Sequence, residues 1–402
     1  MLRGDLCAAN SQETMLRDHN MDATIEPTMM RPTWYEIDLD AICENYRTLR
    51  NWVGTDVKIY SCLKRNAYGC GIQAVSRSLE KEGTDGLAVG NINDALAIRK
   101  AGVELPILLY PNCLPETASV VSENRLTPTV SSEEEAQAWA QATQRPLSVF
   151  PKIDVGLLRG GVLPDKAVSL IKAITENKLL RLAGIYTHFH GYDPATGSDY
   201  ARLQFERFHS LLEEVHRIGI DVPVRIAAGS LVVLQFPEMD LNGVDPGSVL
   251  FGIRSASGPE RTQPLHPALR SIKTRILLIK DIQPHHIDNH PSPFPVEQPV
   301  RMGLVPFGWG DGMPRYRPDG ASALVRGHLV PIIGPIHFEH MRLDLSSVSH
   351  AAVGDEVVLL GHQGQAQIDI ESVAEQWGMD VLQFYGNLRD HVPRRYSENN
   401  NA

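Results

Sequence analysis

The sequence predicts an α/β fold: a (β/α)8 TIM barrel followed by a β-rich C-terminal domain. Three observations predict it. From Trp34 onward, short apolar, β-branched runs alternate with helical patterns, eight times over roughly 200 residues, which is the rhythm of a parallel barrel. Polar residues with chemical capacity recur where those runs end, at what would be the mouth of a barrel. Around 258–270 the texture changes to strand-like runs separated by Gly, Pro and polar turns. A doubly wound open sheet shares the first periodicity; the eight units and the placing of the polar residues favour closure.

Taken in order, residues 1–32 are polar and lack an apolar signal region, so they are expected to be a disordered extension. The recurring Met15, Met21, Met29 and Met30 also fit an over-extended start. The barrel is expected over 33–260. Its strand candidates are VKIYSCL (57–63), GLAVG (86–90), PILLY (106–110), LTPTV (126–130), LSVFPKID (147–154), AGIYTHF (183–189), PVRIAAG (223–229) and GVDPG (243–247). Between them, IQAVSRSLEKEG places apolar residues at helical spacing and stops at Gly83. SSEEEAQAWAQA offers Ser131 or Ser132 as a cap ahead of acids in the first turn, and ARLQFERFHSLLEEVHRIG ends at Gly219. After the linker-like SGPERTQPLHP, the second domain is expected over 261–395, with runs TRILLIKDI, VRMGLVPFGW, SALVRGHLVPIIG, MRLDLSSV and DEVVLLG and a short helix, IESVAEQWG. QPHHIDNHPSPFPVEQP reads as an exposed loop, and 396–402 as a frayed tail.

Composition bounds the function. The chain has 402 residues, 43% hydrophobic and 21% charged, so wholesale disorder and collagen-like structure are excluded. No apolar run approaches the roughly 18 residues of a membrane span. An excess of 48 acids over 38 Lys and Arg argues against a nucleic-acid partner. Five irregularly spaced cysteines without a CxxC pair make a disulfide framework unexpected and a cytoplasmic setting the simplest.

The expected strand ends gather Lys64, Arg159, His188, Asp245 and a Gly/Ser-lined mouth made by Gly229, Ser230, Gly247 and Ser248. A partly desolvated lysine beside a phosphate-sized mouth suggests Schiff-base chemistry. Many barrels carry a mouth lysine, so this alone does not select a cofactor. A metal-dependent hydrolase would need more ligands than His188 and Asp245, and no metal site is expected. His285, His286 and His290 read as solvated loop residues.

WYEIDLDAICENYRTLR followed by KRNAYGCG resembles the opening of the alanine racemase family. The likeness continues through KIDVGLLRGG, GIYTHF, AAGSLVVLQFP, VDPGSVLFG, GWGDGMPR, VPIIGPIHFEHMRLDL and HVPRR, covering about 33–395 in order. The resemblance implies a fold-type III enzyme with pyridoxal 5'-phosphate, a small amino acid as substrate, and a head-to-tail homodimer that completes each site. It implies that Lys64 joins the cofactor as a Schiff base. Tyr68 and Ser230, with amides near Gly247 and Ser248, would hold the phosphate. Arg159 would lie near the phenolic oxygen and His188 near the ring, and Lys152 falls where many relatives carry a carbamylated lysine.

Three departures bear on activity. Trp309 in Gly308-Trp309-Gly310-Asp311-Gly312 stands where the family has its second catalytic base, a tyrosine, and an indole N–H only donates. Asp245 replaces the arginine that meets the pyridine nitrogen; a carboxylate would favour the protonated ring, although Asp-Pro-Gly is also good turn chemistry. His337-Phe338-Glu339-His340 replaces a loop of the substrate carboxylate pocket and brings acid/base or metal-binding capacity. A phosphate-site tyrosine has no counterpart, Leu382 being nearest in register. Cys70 and Asn66 replace fingerprint residues, and Arg65 is expected to point away from the site. Lys64 then stands as the one clear base. The sequence expectation is single-face carbanion chemistry: aldol or retro-aldol, β-elimination or replacement, or decarboxylation. The alternatives are an amino-acid racemase in which His337 or His340 substitutes for the tyrosine, and a non-catalytic pyridoxal-phosphate carrier.

Overall fold

The computed structural model describes residues 30–189, 199–254, 261–287 and 296–397. After β1 (Thr33–Asp38), eight parallel strand positions form a closed ring. They are β2 (Lys58–Cys62), β3 (Gly86–Val89), β4 (Ile107–Leu109), β5 (Leu126–Val130), β6 (Leu147–Ile153), a sixth position built from β7 (Leu180–Leu182) and β8 (Ile185–Thr187), β9 (Arg225–Ala228) and β10 (Gly243–Val244). Closure comes from β10 pairing back onto β2, Gly243 opposite Lys58 and Val244 opposite Ile59, which removes the open-sheet alternative. The split sixth position has a packing cause. The first half of β6 pairs with β7 and its second half with β8. Between them Gly184 lets the backbone pass the Phe150 ring, where any Cβ would collide with that ring and with the Val224 carbonyl. Leu180–Leu182 is too short a run to be read as a strand from sequence.

The helices lie where the apolar spacing placed them. Ser132 caps Glu133–Ala142 by accepting from the Glu135 amide, and Ile72–Lys81 stops short of Gly83, whose φ of 83° is left-handed. Inside the ring, Tyr60, Phe150, Tyr186 and Tyr110 stack edge to face or tilted, with centroids 5.9 to 6.4 Å apart. This aromatic layer fills the barrel and forms a floor beneath its mouth. Among the described residues, no helix is long and apolar enough to cross a membrane.

The second sheet comprises β11 (Leu269–Arg275), β12 (Leu278–Ile282), β13 (Val300–Val305), β14 (Ser322–Val325), β15 (His328–Ile333), β16 (Met341–Asp344), β17 (Glu356–Gln363), β18 (Ala366–Ile368) and β19 (Arg394–Ser397), together with β1. Three expectations are corrected here. β1 does not open the barrel: it sits between β11 and β19, so the chain begins in the second sheet, enters the barrel, and returns. TRILLIKDI is not one strand; it spans the end of β11 and all of β12. The tail does not fray at 396, because Tyr396 and Ser397 pair with Ile37 and Asp38. The expected extension begins to be described at Met30, and the Arg31 guanidinium is bonded to Asp311. His285 and His286 are exposed, as expected; His290 lies outside the described residues.

Candidate active site

Lys64 follows β2 after Leu63 alone, and the chain then makes an unusual turn. Arg65, Asn66, Ala67 and Tyr68 all take left-handed φ values of 51–54°. Such a conformation costs about 1 kcal/mol or more at each non-glycine residue, so the surroundings must hold it. The Asn66 side chain does much of this: its Oδ1 accepts from the Ile72 amide at 2.7 Å and its Nδ2 donates to Asp390 at 2.8 Å. The second domain closes on the same turn, with Arg394 Nε donating to the Gly69 carbonyl at 2.8 Å. The turn lays Tyr68 against Phe251, ring centroids 4.7 Å apart, and over Gly247, where a Cβ would strike the phenol oxygen. Arg65 points away, as expected, with Nε donating to the Gly386 carbonyl. The turn aims it there, not strand alternation.

The other predicted mouth residues come from the expected strand ends. Asp154 at the end of β6 accepts from the Gly156, Leu158 and Arg159 amides at 2.9–3.0 Å, which folds the loop that carries Arg159. Burial works against the charge on Asp154, but these amides hold its carboxyl below the usual range. Ser230 Oγ accepts from the Gly247 amide at 2.8 Å and ties the turn after β9 to the turn after β10. Ser248 is buried beside it.

A cavity of about 340 Å³ opens at this end of the barrel. Its lining includes the predicted Lys64, Arg159, His188 and Asp245, and also Lys152, Tyr110 and Tyr186. The Lys64 ammonium lies 4.5 Å from the centroid of the Tyr110 ring. Burial, with Arg159 and Lys64 nearby, pushes the Lys152 amine down. Burial and the same three cations push the His188 imidazole down to about 3, so it is neutral at ordinary pH. Asp245 is 6% exposed, and burial pushes its carboxyl up to about 6. Its Oδ2 accepts from the Tyr110 hydroxyl at 2.7 Å, while Oδ1 is buried with no partner. The turn-acid reading of Asp245 is therefore corrected: the side chain is enclosed and lines the cavity. Tyr110 and Tyr186 are the residues that sequence reasoning missed. Tyr110 ends the run PILLY, so the strand-end rule alone could have found it.

Trp309, His337 and His340 are not among the lining residues of this cavity. They form a second cluster on the other sheet. The Trp309 amide donates to the His337 carbonyl at 3.0 Å and the Gly310 amide to the Phe338 carbonyl at 2.8 Å, while the Trp309 and Phe338 rings pack edge to face at 4.3 Å. The Arg342 guanidinium is bonded to His337 Nε2. A guanidinium only donates, so that ring nitrogen accepts and its lone pair is engaged. Leu382 lines a separate surface cavity with Ile253 and Arg254, away from Lys64. Among the described residues, no three His, Cys, Asp or Glu side chains converge as a metal site.

A closed parallel barrel with a lysine, two further cations and a buried acid at its mouth, joined to a separate β-sheet domain, defines a two-domain barrel enzyme built around an anionic organic ligand. The family model for the N-terminal domain of alanine racemase matches residues 37–255, and that for its C-terminal domain matches 269–396. The chain belongs to the alanine racemase family. It is 33% identical over 371 residues to an alanine racemase of Methanococcus maripaludis, covering 91% of this chain and 98% of that one. With an alanine racemase of Halothermothrix orenii the identity is 30% over 369 residues, covering 91% and 97%. The Bacillus anthracis alanine racemase with bound L-Ala-P superposes with a TM-score of 0.82 at 27% identity, covering 92% of this chain and 96% of that chain. Enzymes of this family use pyridoxal 5'-phosphate. The cavity fits that group. Lys64 can carry the aldehyde, Lys152 and Arg159 suit an anionic ring oxygen, and the orphaned Asp245 Oδ1 needs a donor.

Proposed function

We propose that this chain removes and returns the proton on Cα of a small amino acid, with racemisation as its activity. The observation that carries the reading is Lys64 in a cavity with Lys152, Arg159 and Asp245 at the strand ends. The names of the relatives favour racemisation over the single-face chemistry expected from the sequence. When bound, the cofactor supplies an electron sink that makes the Cα proton acidic.

The chain's residues have separable tasks in this reading. Lys64 holds the cofactor and moves the proton on one face of Cα. Tyr68 and Ser230 bind the phosphate with the turn at Gly247 and Ser248, where the Gly247 amide already donates to Ser230 Oγ. Arg159 orients the phenolic oxygen, and neutral His188 packs beside the ring without adding charge. Trp309, His337 and His340 serve the opposite face from a second copy in a homodimer. With His337 Nε2 engaged by Arg342, His340 is the better base of the two.

A second reading, single-face aldol, elimination or decarboxylation chemistry, is favoured by one observation. The resemblance aligns Trp309 with the second base, and an indole cannot accept a proton. The two separate in heavy water. With pyridoxal phosphate and either L- or D-alanine, racemisation gives deuterium at Cα and both enantiomers from each. In Lys64→Ala the rate falls by about a thousandfold or more. Exchange confined to one enantiomer, or a product that has lost its carboxyl group or side chain, supports the second reading; neither exchange nor such a product from any small amino acid overturns both.

A further inference from the structure

The cavity holds one feature that the proton-moving reading does not use: a buried carboxylate with one oxygen tied and the other bare. Tyr110 Oη donates to Asp245 Oδ2 at 2.7 Å, and Oδ1 has no partner. Leaving a buried carboxylate oxygen unpaired is unfavourable by about 1–3 kcal/mol or more, so the arrangement points to a missing donor. The other cavity groups do not supply it. Lys64 and Lys152 act on Asp245 through space, and the Lys64 ammonium lies 4.5 Å from the centroid of the Tyr110 ring. The His188 ring makes no bond to Oδ1.

Pyridoxal phosphate has four polar groups about its ring, of which the aldehyde is taken up by Lys64. The phosphate and the phenolic oxygen are anionic and would repel a carboxylate. Only the ring nitrogen can bring a proton to Oδ1. We propose that Tyr110 and Asp245 act as a unit that keeps the ring nitrogen of the bound cofactor protonated, Asp245 Oδ1 accepting the nitrogen's proton and Tyr110 holding the carboxylate in place. This rests on the pyridoxal-phosphate reading of the cavity. One proton is shared along the Oδ1–nitrogen axis and no bond between heavy atoms changes.

Tyr110 does more than position the carboxylate. Burial pushes the Asp245 carboxyl up to about 6, close enough to a pyridinium for the shared proton to rest on either partner. A hydrogen bond donated to Oδ2 stabilises the charged carboxylate and so biases the proton toward nitrogen. Burial and the adjacent Asp245 push the Tyr110 phenol well above its ordinary value, so it stays a donor. Tyr110 is thus a positioning residue, and Asp245 is the group that touches the cofactor. A protonated ring withdraws electrons from Cα more strongly than a bare one, which widens the reactions open to the site.

The test is the nitrogen resonance of cofactor labelled with 15N in the ring and bound to the full chain. The wild type is expected at the upfield position of a protonated pyridine. Asp245→Asn, which retains an acceptor for Tyr110, should move it fully to the unprotonated position, and Tyr110→Phe part of the way. A wild-type resonance at the unprotonated position, or one that Asp245→Asn leaves in place, overturns the proposal; no movement in Tyr110→Phe overturns the part given to Tyr110. The cofactor absorbance band keeps the underlying reading separate: if the wild type binds no cofactor, or if the band survives Lys64→Ala, that reading fails with it.

Discussion

Two buried aspartates of this molecule are treated in opposite ways. Asp311, 1% exposed, in the loop that carries Trp309, is bonded on every side. Its carboxylate accepts from Arg31, from His391 Nε2 at 2.9 Å and from the Gly308 amide at 2.9 Å, and its backbone carbonyl accepts from the Tyr35 hydroxyl at 2.6 Å. Asp245, at the barrel mouth, keeps one oxygen bare in a cavity. The saturated acid fixes a loop; the unsaturated one waits for something that the chain does not supply. Completeness of hydrogen bonding, not burial, separates scaffold from site here.

The comparison is tested first at its saturated end. Asp311→Ala strands the Gly308 amide and takes the anchor from Arg31 and His391, which reach water, so the loss is about 3 kcal/mol. The denaturation midpoint should fall accordingly, with the denaturant slope unchanged. A loss below about 1 kcal/mol would mean that the loop does not depend on its central acid.

At the unsaturated end the sign reverses. The folded-state value of Asp245, about 6, lies above an ordinary carboxyl near 4, so the folded protein without cofactor binds this proton more tightly than the unfolded chain does. Stability from this group is present below pH 4 and is lost as pH rises through 6. At about 1.4 kcal/mol per pH unit the loss reaches about 3 kcal/mol. Asp245→Asn carries no such charge and retains an acceptor for Tyr110. It should therefore be more stable than the cofactor-free wild type by up to about 3 kcal/mol at pH 7, the gain shrinking as pH falls toward 4. Urea titrations at pH 4 and 7 measure the difference. A variant destabilised at pH 7 would mean that Oδ1 has a partner after all.

How much of this was legible in the sequence follows the same division. Strand ends are set by the chain's own alternation and turn residues, so Lys64, Arg159, His188, Ser230 and Asp245 could be placed without coordinates. Pairing across the molecule is not local. The assignment of β1 to the second sheet depends on β11 and β19, more than 200 residues away, and nothing in TWYEID distinguishes a barrel strand from an outer one. The left-handed turn over 65–68 was invisible for another reason: none of its four residues is glycine, and only Asn66, Asp390 and the second domain make it tolerable. Tyr110 ends PILLY and was within reach of the strand-end rule, but its hydrogen bond to Asp245 is something no spacing encodes.

The smallest expected effect concerns the region where the two readings of activity diverge. Trp309 packs on Phe338 in the cluster that includes His337 and His340, and its indole has no lone pair for a proton. A tyrosine at this place has nearly the same rigid body and adds a hydroxyl that accepts once ionised. If the face opposite Lys64 lacks a base, Trp309→Tyr should raise interconversion of L- and D-alanine by about tenfold or more, at the lower end of what a positioned base contributes because its surroundings are not tuned to it. If His340 already serves that face, the same change leaves the rate within about twofold, and His340→Ala lowers it instead. Measuring both variants decides which loop residue faces Cα, because a merely structural role for Trp309 would lower the rate in Trp309→Tyr and leave the His340 variant unaffected.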